Sequence, residues 1–118
     1  MSDDGGGEGE GAPAPSSEIN LDFLRRYWAL PKRVQGRARE QYRLWRRDPS
    51  HPGLQFKRVS PSLPLWSVRV DRNHRAAGVY EGGLITWFFI GTHAEYDRLL
   101  KNAKARVRGQ RPTRRGRR

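Results

Sequence analysis

A few basic side chains and one imidazole stand where this chain could handle a phosphate. Lys57 and Arg58 come first, Arg69 lies in Trp66-Ser-Val-Arg-Val70, Arg75 opens the next extended stretch, and His93 follows a long apolar run. The planar fork of arginine can pair with two phosphate oxygens at once. Histidine is the side chain that titrates nearest neutrality. Cations that hold a developing negative charge, with one group to move a proton, are the parts that metal-free phosphoryl chemistry needs. His93 would be the first residue of a helix capped by Thr92, and a helix N-terminus disfavours imidazolium, so a neutral, proton-accepting ring is expected. Three His without any Cys form no zinc spacing, and the acids are scattered, so neither a metal nor a cofactor is expected. The glycines that cluster near the start lie in an acidic stretch and do not form a phosphate loop.

Other residues carry weaker signals. Lys57 and Arg58 are neighbours on one strand and point opposite ways, so at most one faces a site. Lys57 is preferred, because Leu54 and Phe56 claim the other face for the core. Tyr96, one turn into the last helix, could stack on a base, donate its phenol or simply pack. Glu95 has capping-box spacing from Thr92 and reads as a cap rather than a base. His51, in a Pro-flanked turn, reads as structural.

The charge balance agrees with a polyanionic or acidic partner. The 118 residues carry a net +12, spread as −5 over residues 1–18, +8 over 19–100 and +9 over 101–118. Both ends are poor in large apolar side chains and are expected to stay disordered, the first acidic and Gly/Pro-rich, the second basic. The basic end would add sequence-blind attraction to RNA, and the acidic one could shield basic surface in cis. Residues 19–100 hold every Trp, Tyr and Phe, so one small domain is expected there. Without Cys there is no disulfide framework. The acidic start lacks the apolar region of a secretory signal and no run reaches membrane-spanning length, so a soluble, cytoplasmic protein is expected.

The elements that must position these residues are legible in outline. Phe23, Leu24, Tyr27 and Trp28 recur at helical spacing within Asn20–Leu30. Pro31 opens a second helix, Lys32–Arg47, with Val34, Ala38, Gln41/Tyr42 and Trp45 as its buried stripe and seven Lys/Arg against Glu40 elsewhere. The two should form an antiparallel hairpin. Strands are expected over Leu54–Val59, Trp66–Asp71, Arg75–Tyr80 and Leu84–Ile90, the last apolar on both faces and therefore internal. A short helix from Thr92 to about Leu100 closes the order. The expected fold is α+β, a helical hairpin on a small, largely antiparallel four-stranded sheet, with the helices on one face.

This order, with the segments LPKRVQGRAREQY, HPGLQFKRV, LWSVRVDRNHRAAGV and ITWFFIGTHAEYDRLL, resembles the RelE/ParE superfamily of toxins from toxin–antitoxin pairs, over roughly Phe23 to Leu100. It looks closest to the branch that ends its last strand in Gly-Ser/Thr-His. The resemblance implies a toxin neutralised by an antitoxin, and for RelE-like members an endoribonuclease (mRNA interferase) that cuts mRNA on the ribosome without metal. ParE-like members instead poison DNA gyrase. Under the RelE-like implication His93 matches a position where relatives carry a catalytic His or Arg. Arg75 corresponds to the Arg that contacts the scissile phosphate, although His74 replaces the preceding aromatic. Arg69 matches a basic strand position of the same sites, and Lys57, Arg58 and Tyr96 would contact RNA.

Register tests that implication. A two-residue turn at Arg72-Asn73 would set Arg75 opposite Val70, with Arg69 on the other face of the sheet. A three-residue loop, Arg72–His74, would set Arg69 and Arg75 on one face. The three-residue loop is expected, with Asn73 or His74 in the left-handed conformation.

Overall fold

The computed structural model describes residues 14–113. Strand β1 (Ser16–Ile19) comes first, followed by α1 (Leu21–Ala29), α2 (Lys32–Arg47) and a 3-10 turn at Pro52–Leu54. Then come β2 (Lys57–Arg58), β3 (Leu65–Asp71), β4 (His74–Glu81), β5 (Leu84–Thr92) and α3 (His93–Thr113). The sheet has the order β1-β5-β4-β3-β2, with β1 parallel to β5 and the other pairs antiparallel.

The α+β class and the run of elements agree with the sequence, and two of the differences lie at the ends. The sheet has five strands, because Ser16–Ile19 pairs with Leu84–Trp87, and all of that strand but Ile19 falls in the stretch expected to be a tail. That strand gains little from side-chain burial. What holds it is the backbone ladder to β5 and a 2.6 Å hydrogen bond between Ser17 Oγ and the Tyr42 hydroxyl. At the other end α3 runs to Thr113 rather than stopping near Leu100. Lys, Ala and Arg are good helix formers, and a well-capped start lets the helix propagate. The expectations for residues 1–13 and 114–118 lie outside the described residues.

Two apolar layers sandwich the sheet. On one face α1 lies along β5 and α2 along β3, over Val68, Val70, Ala76, Ile85, Trp87 and Ile90. On the other, Tyr96, Leu99, Leu100 and Ala103 of α3 pack with Leu65, Ala77 and Phe89. The helices therefore cover both faces, not one. This arrangement explains why β5 is apolar on both sides. Asn20 caps α1 by accepting from Phe23 N at 2.9 Å. Val34 and Trp45 are buried as the helical spacing requires, whereas Tyr42 is 41 % exposed at the edge of a cleft.

The strand expected over Leu54–Val59 shrinks to Lys57–Arg58. His51 Nδ1 accepts from Gly53 N at 3.0 Å, closing the 3-10 turn, and Gln55 leaves it in the left-handed region at φ 46°. A left-handed residue cannot continue a pleated ladder.

Candidate active site

The β3–β4 turn decides whether the two arginines meet. It is a two-residue turn at Arg72-Asn73, since Asp71 pairs with His74, and this corrects the three-residue expectation. Neither Asn73 nor His74 is left-handed. A two-residue turn without left-handed residues does not match the twist of its strands. The ladder absorbs the mismatch in a bulge between Arg69 and Asp71, which shifts the register so that Arg69 lies opposite Arg75. Both side chains therefore share the α3 face. Asp71 does not pair with Arg69. It accepts from Asn73 N at 2.8 Å and lies 3.0 Å from His74 Nδ1. Burial pushes the Asp71 carboxyl up, but these partners outweigh it and hold the group below its ordinary value.

Around the pair the other residues fall into place by register. Lys57 lies opposite Ser67, two residues before Arg69, and so joins the same face. Arg58 lies opposite Trp66 on the other face. Its Nε donates to the carbonyls of Ser60 and Leu63, so it braces the β2–β3 loop instead of joining the group. Gly91 lies opposite Arg75 across β4 and β5. A Cβ there would come within 2.5 Å of Glu95 Oε1 and 3.0 Å of the Phe89 ring, so a side chain at this position would have to push the Glu95 carboxylate off its cap.

Helix α3 supplies the rest. The Arg75 guanidinium lies 5.8 Å from the centre of the buried Tyr96 ring, and that ring is 6.0 Å from the His93 imidazole. His93 N donates to Asn73 O at 2.8 Å, which ties the helix start to the β3–β4 turn. The His93 side chain is 56 % exposed, with its Nε2 3.8 Å from the Asp97 carboxylate. Sequence reasoning missed Asp97, although its i,i+4 spacing from His93 was readable. It also missed Gln55, whose Oε1 accepts from Arg75 at 2.6 Å, and Ser67, whose buried hydroxyl has no hydrogen-bond partner. No sequence signal marks those two.

Arg69 and Arg75 directly oppose each other, which is unfavourable for like charges. Among the described residues neither makes an ion pair with a carboxylate. The described residues include no group of three or more His, Asp or Glu that could hold a metal.

Thr92 and Glu95 form the capping box that places His93. Thr92 N donates to Glu95 Oε1 at 2.8 Å, and Glu95 N donates to Thr92 Oγ1 at 3.2 Å. The Thr92 N–H lowers the Glu95 carboxyl below its ordinary value, against burial and with help from the Thr92 hydroxyl, Arg26 and Arg98. A depressed carboxyl stabilises the fold above its unfolded value of about 4.5 and loses that contribution as pH falls through its folded value. Glu95→Gln keeps an acceptor for Thr92 N but cannot titrate. Thermal unfolding between about pH 5 and 3 is expected to show a flatter acid decline in the variant than in the wild type.

The ParE-like toxin domain model matches residues 32–98, more than half of the chain. The chain belongs to the ParE-like toxin domain family. The match runs from the start of α2 into α3 and so contains every site residue named above. The toxin has the RelE/ParE fold, as its solved neighbours agree. YafQ from Escherichia coli strain BL21(DE3) superposes with a TM-score of 0.57 at 14% identity, covering 70% of this chain and 97% of that one. A chain of the RelB–RelE antitoxin–toxin complex from Methanococcus jannaschii gives 0.55 at 15%, covering 68% and 95%. The YoeB/ParE toxin from Agrobacterium tumefaciens gives 0.53 at 15%, covering 66% and 98%. No curated protein sequence matches the toxin. No helix among its described residues is long and apolar enough to cross a membrane.

Proposed function

We propose that the toxin is a metal-independent endoribonuclease that cuts mRNA, on the ribosome, by attack of a ribose 2′-OH on the adjacent phosphorus. The observation that carries this reading is the register that sets Arg69 beside Arg75, with Lys57 on the same face. The Tyr96 ring lies 5.8 Å from the Arg75 guanidinium and 6.0 Å from the His93 ring. In this mechanism His93 accepts the 2′-OH proton as the oxygen attacks. Arg75 and Arg69 hold the charge that builds on the non-bridging oxygens. The bond to the 5′-oxygen breaks, leaving a 2′,3′-cyclic phosphate, and the departing oxygen takes a proton for which the Tyr96 phenol is the candidate donor. Lys57 contacts the flanking backbone.

An RNA with hydrogen in place of the 2′-OH at the cut site is expected to bind and remain intact, as read by gel mapping of RNA 5′-ends. Cleavage of that substrate would rule the mechanism out. The description of the matching family as ParE-like favours a second reading, inhibition of DNA gyrase by contact alone. Toxicity that persists in His93→Ala and Arg75→Ala, with DNA synthesis halted first, would select it.

Either reading includes an antitoxin, in keeping with the antitoxin–toxin complex among the neighbours. A cleft of about 530 Å³ between α1, α2 and the sheet is lined by Leu24, Tyr27, Tyr42, Trp45 and Val70, with Arg39 and Arg43 also on its walls. Its apolar floor and basic wall suit an acidic, amphipathic antitoxin segment. Bound antitoxin is expected to slow hydrogen exchange in α1 and α2.

A further inference from the structure

Gln55 is the residue out of place. It is the only non-glycine with positive φ among the described residues, and it caps the 3-10 turn at φ 46° and ψ 43°. Left-handed backbone at such a cap favours glycine, because a Cβ crowds the neighbouring carbonyl. Strain of this kind persists where the surroundings impose it, and it concentrates at functional sites. What the side chain does there is specific. Its Oε1 accepts from Arg75 NH2 at 2.6 Å. Arg75 NH1 is enclosed and has no hydrogen-bond partner, so among the described residues Gln55 supplies the only acceptor that the guanidinium has. The guanidinium carbon also lies 5.8 Å from the centre of the Tyr96 ring.

We propose that Gln55 is a positioning residue that orients Arg75 for the phosphodiester, and that a neutral amide is used there so that the guanidinium keeps its full charge. This inference rests on the ribonuclease reading. A carboxylate in the same place would hold Arg75 equally well but would cancel the charge that the phosphate needs. A glycine would relieve the backbone and leave the guanidinium to swing. Stability and function should therefore separate at this position.

The test uses the full chain with Gln55→Gly and Gln55→Glu. Three quantities are measured for each: thermal unfolding, kcat and KM on RNA, and the salt dependence of binding to RNA carrying a 2′-deoxy cut site. Gln55→Gly is expected to unfold at or above the wild-type temperature while kcat drops about tenfold, with KM little changed. Gln55→Glu is expected to bind the uncleavable RNA more weakly, with the magnitude of the log–log salt slope reduced by about 0.7, one phosphate contact's worth for a single strand. A Gln55→Gly protein with wild-type kcat overturns the proposal, as does one whose activity falls only in step with its folded fraction. A wild-type chain that leaves RNA uncut fails one level earlier. That result removes the ribonuclease reading and this inference with it.

Discussion

Under the proposed ribonuclease mechanism, Arg75→Ala is expected to cut RNA at least about a hundredfold more slowly than the wild type, the usual loss when one preorganised donor to a developing charge is removed. Arg75 is the best-held cation of the group, hydrogen-bonded to Gln55, near the Tyr96 ring and opposite Arg69 across the β3–β4 ladder. The fold should not suffer, because the substitution also removes a like charge directly opposite Arg69. Arg75→Lys restores the charge but not the fork, so intermediate activity is expected. Single-turnover cleavage with circular dichroism on the same samples gives both answers. An alanine variant that cuts RNA at close to the wild-type rate would take Arg75 out of the chemistry.

The second large effect is on stability. Trp45→Ala is expected to cost about 3–5 kcal/mol, as large-to-small changes of buried aromatics do. That is a heavy share of the roughly 5–15 kcal/mol holding a small domain together. Trp45 is 1 % exposed and meets Trp87 at 5.5 Å and Phe56 at 5.6 Å edge-on, with Tyr42 stacked at 5.9 Å. It thereby ties α2 to both the sheet and the segment after the 3-10 turn. Its indole N–H has no hydrogen-bond partner, so Trp45→Phe forfeits volume without breaking a hydrogen bond. Urea unfolding should rank wild type above Phe, and Phe well above Ala. Equal midpoints for Ala and wild type would mean that the aromatic cluster does not hold the domain together.

The elements that could be read from the sequence are those whose signals are local. Helix α2 begins and ends where Pro31 and the Asp48-Pro49 stop place it. β5 is internal because its residues are apolar on both faces. What escaped depends on partners distant in sequence. β1 looks like part of a tail because its side chains are mostly exposed, and the ladder to β5 and the Ser17–Tyr42 hydrogen bond give it a place. The shortening of β2 follows from the left-handed Gln55, which no composition or period signals. At the site, the types of Arg69, Arg75 and His93 were readable, but the means that brings the two arginines together was not. A bulge compensates for a turn one residue shorter than expected, and a bulge is a property of the paired ladder, not of either strand alone.

The parallel strand at the start of the chain also bears on how the toxin survives at high concentration. β5 carries Leu84-Ile-Thr-Trp-Phe-Phe-Ile90, a stretch with the composition of a self-stacking fibril segment. Ser16–Ile19 occupies the hydrogen-bonding edge of its first half, and α1 lies against the same strand. Proteolytic nicking between Ile19 and Leu21 would strip away that guard and bare the edge, so clipped molecules should clump while intact ones stay dispersed.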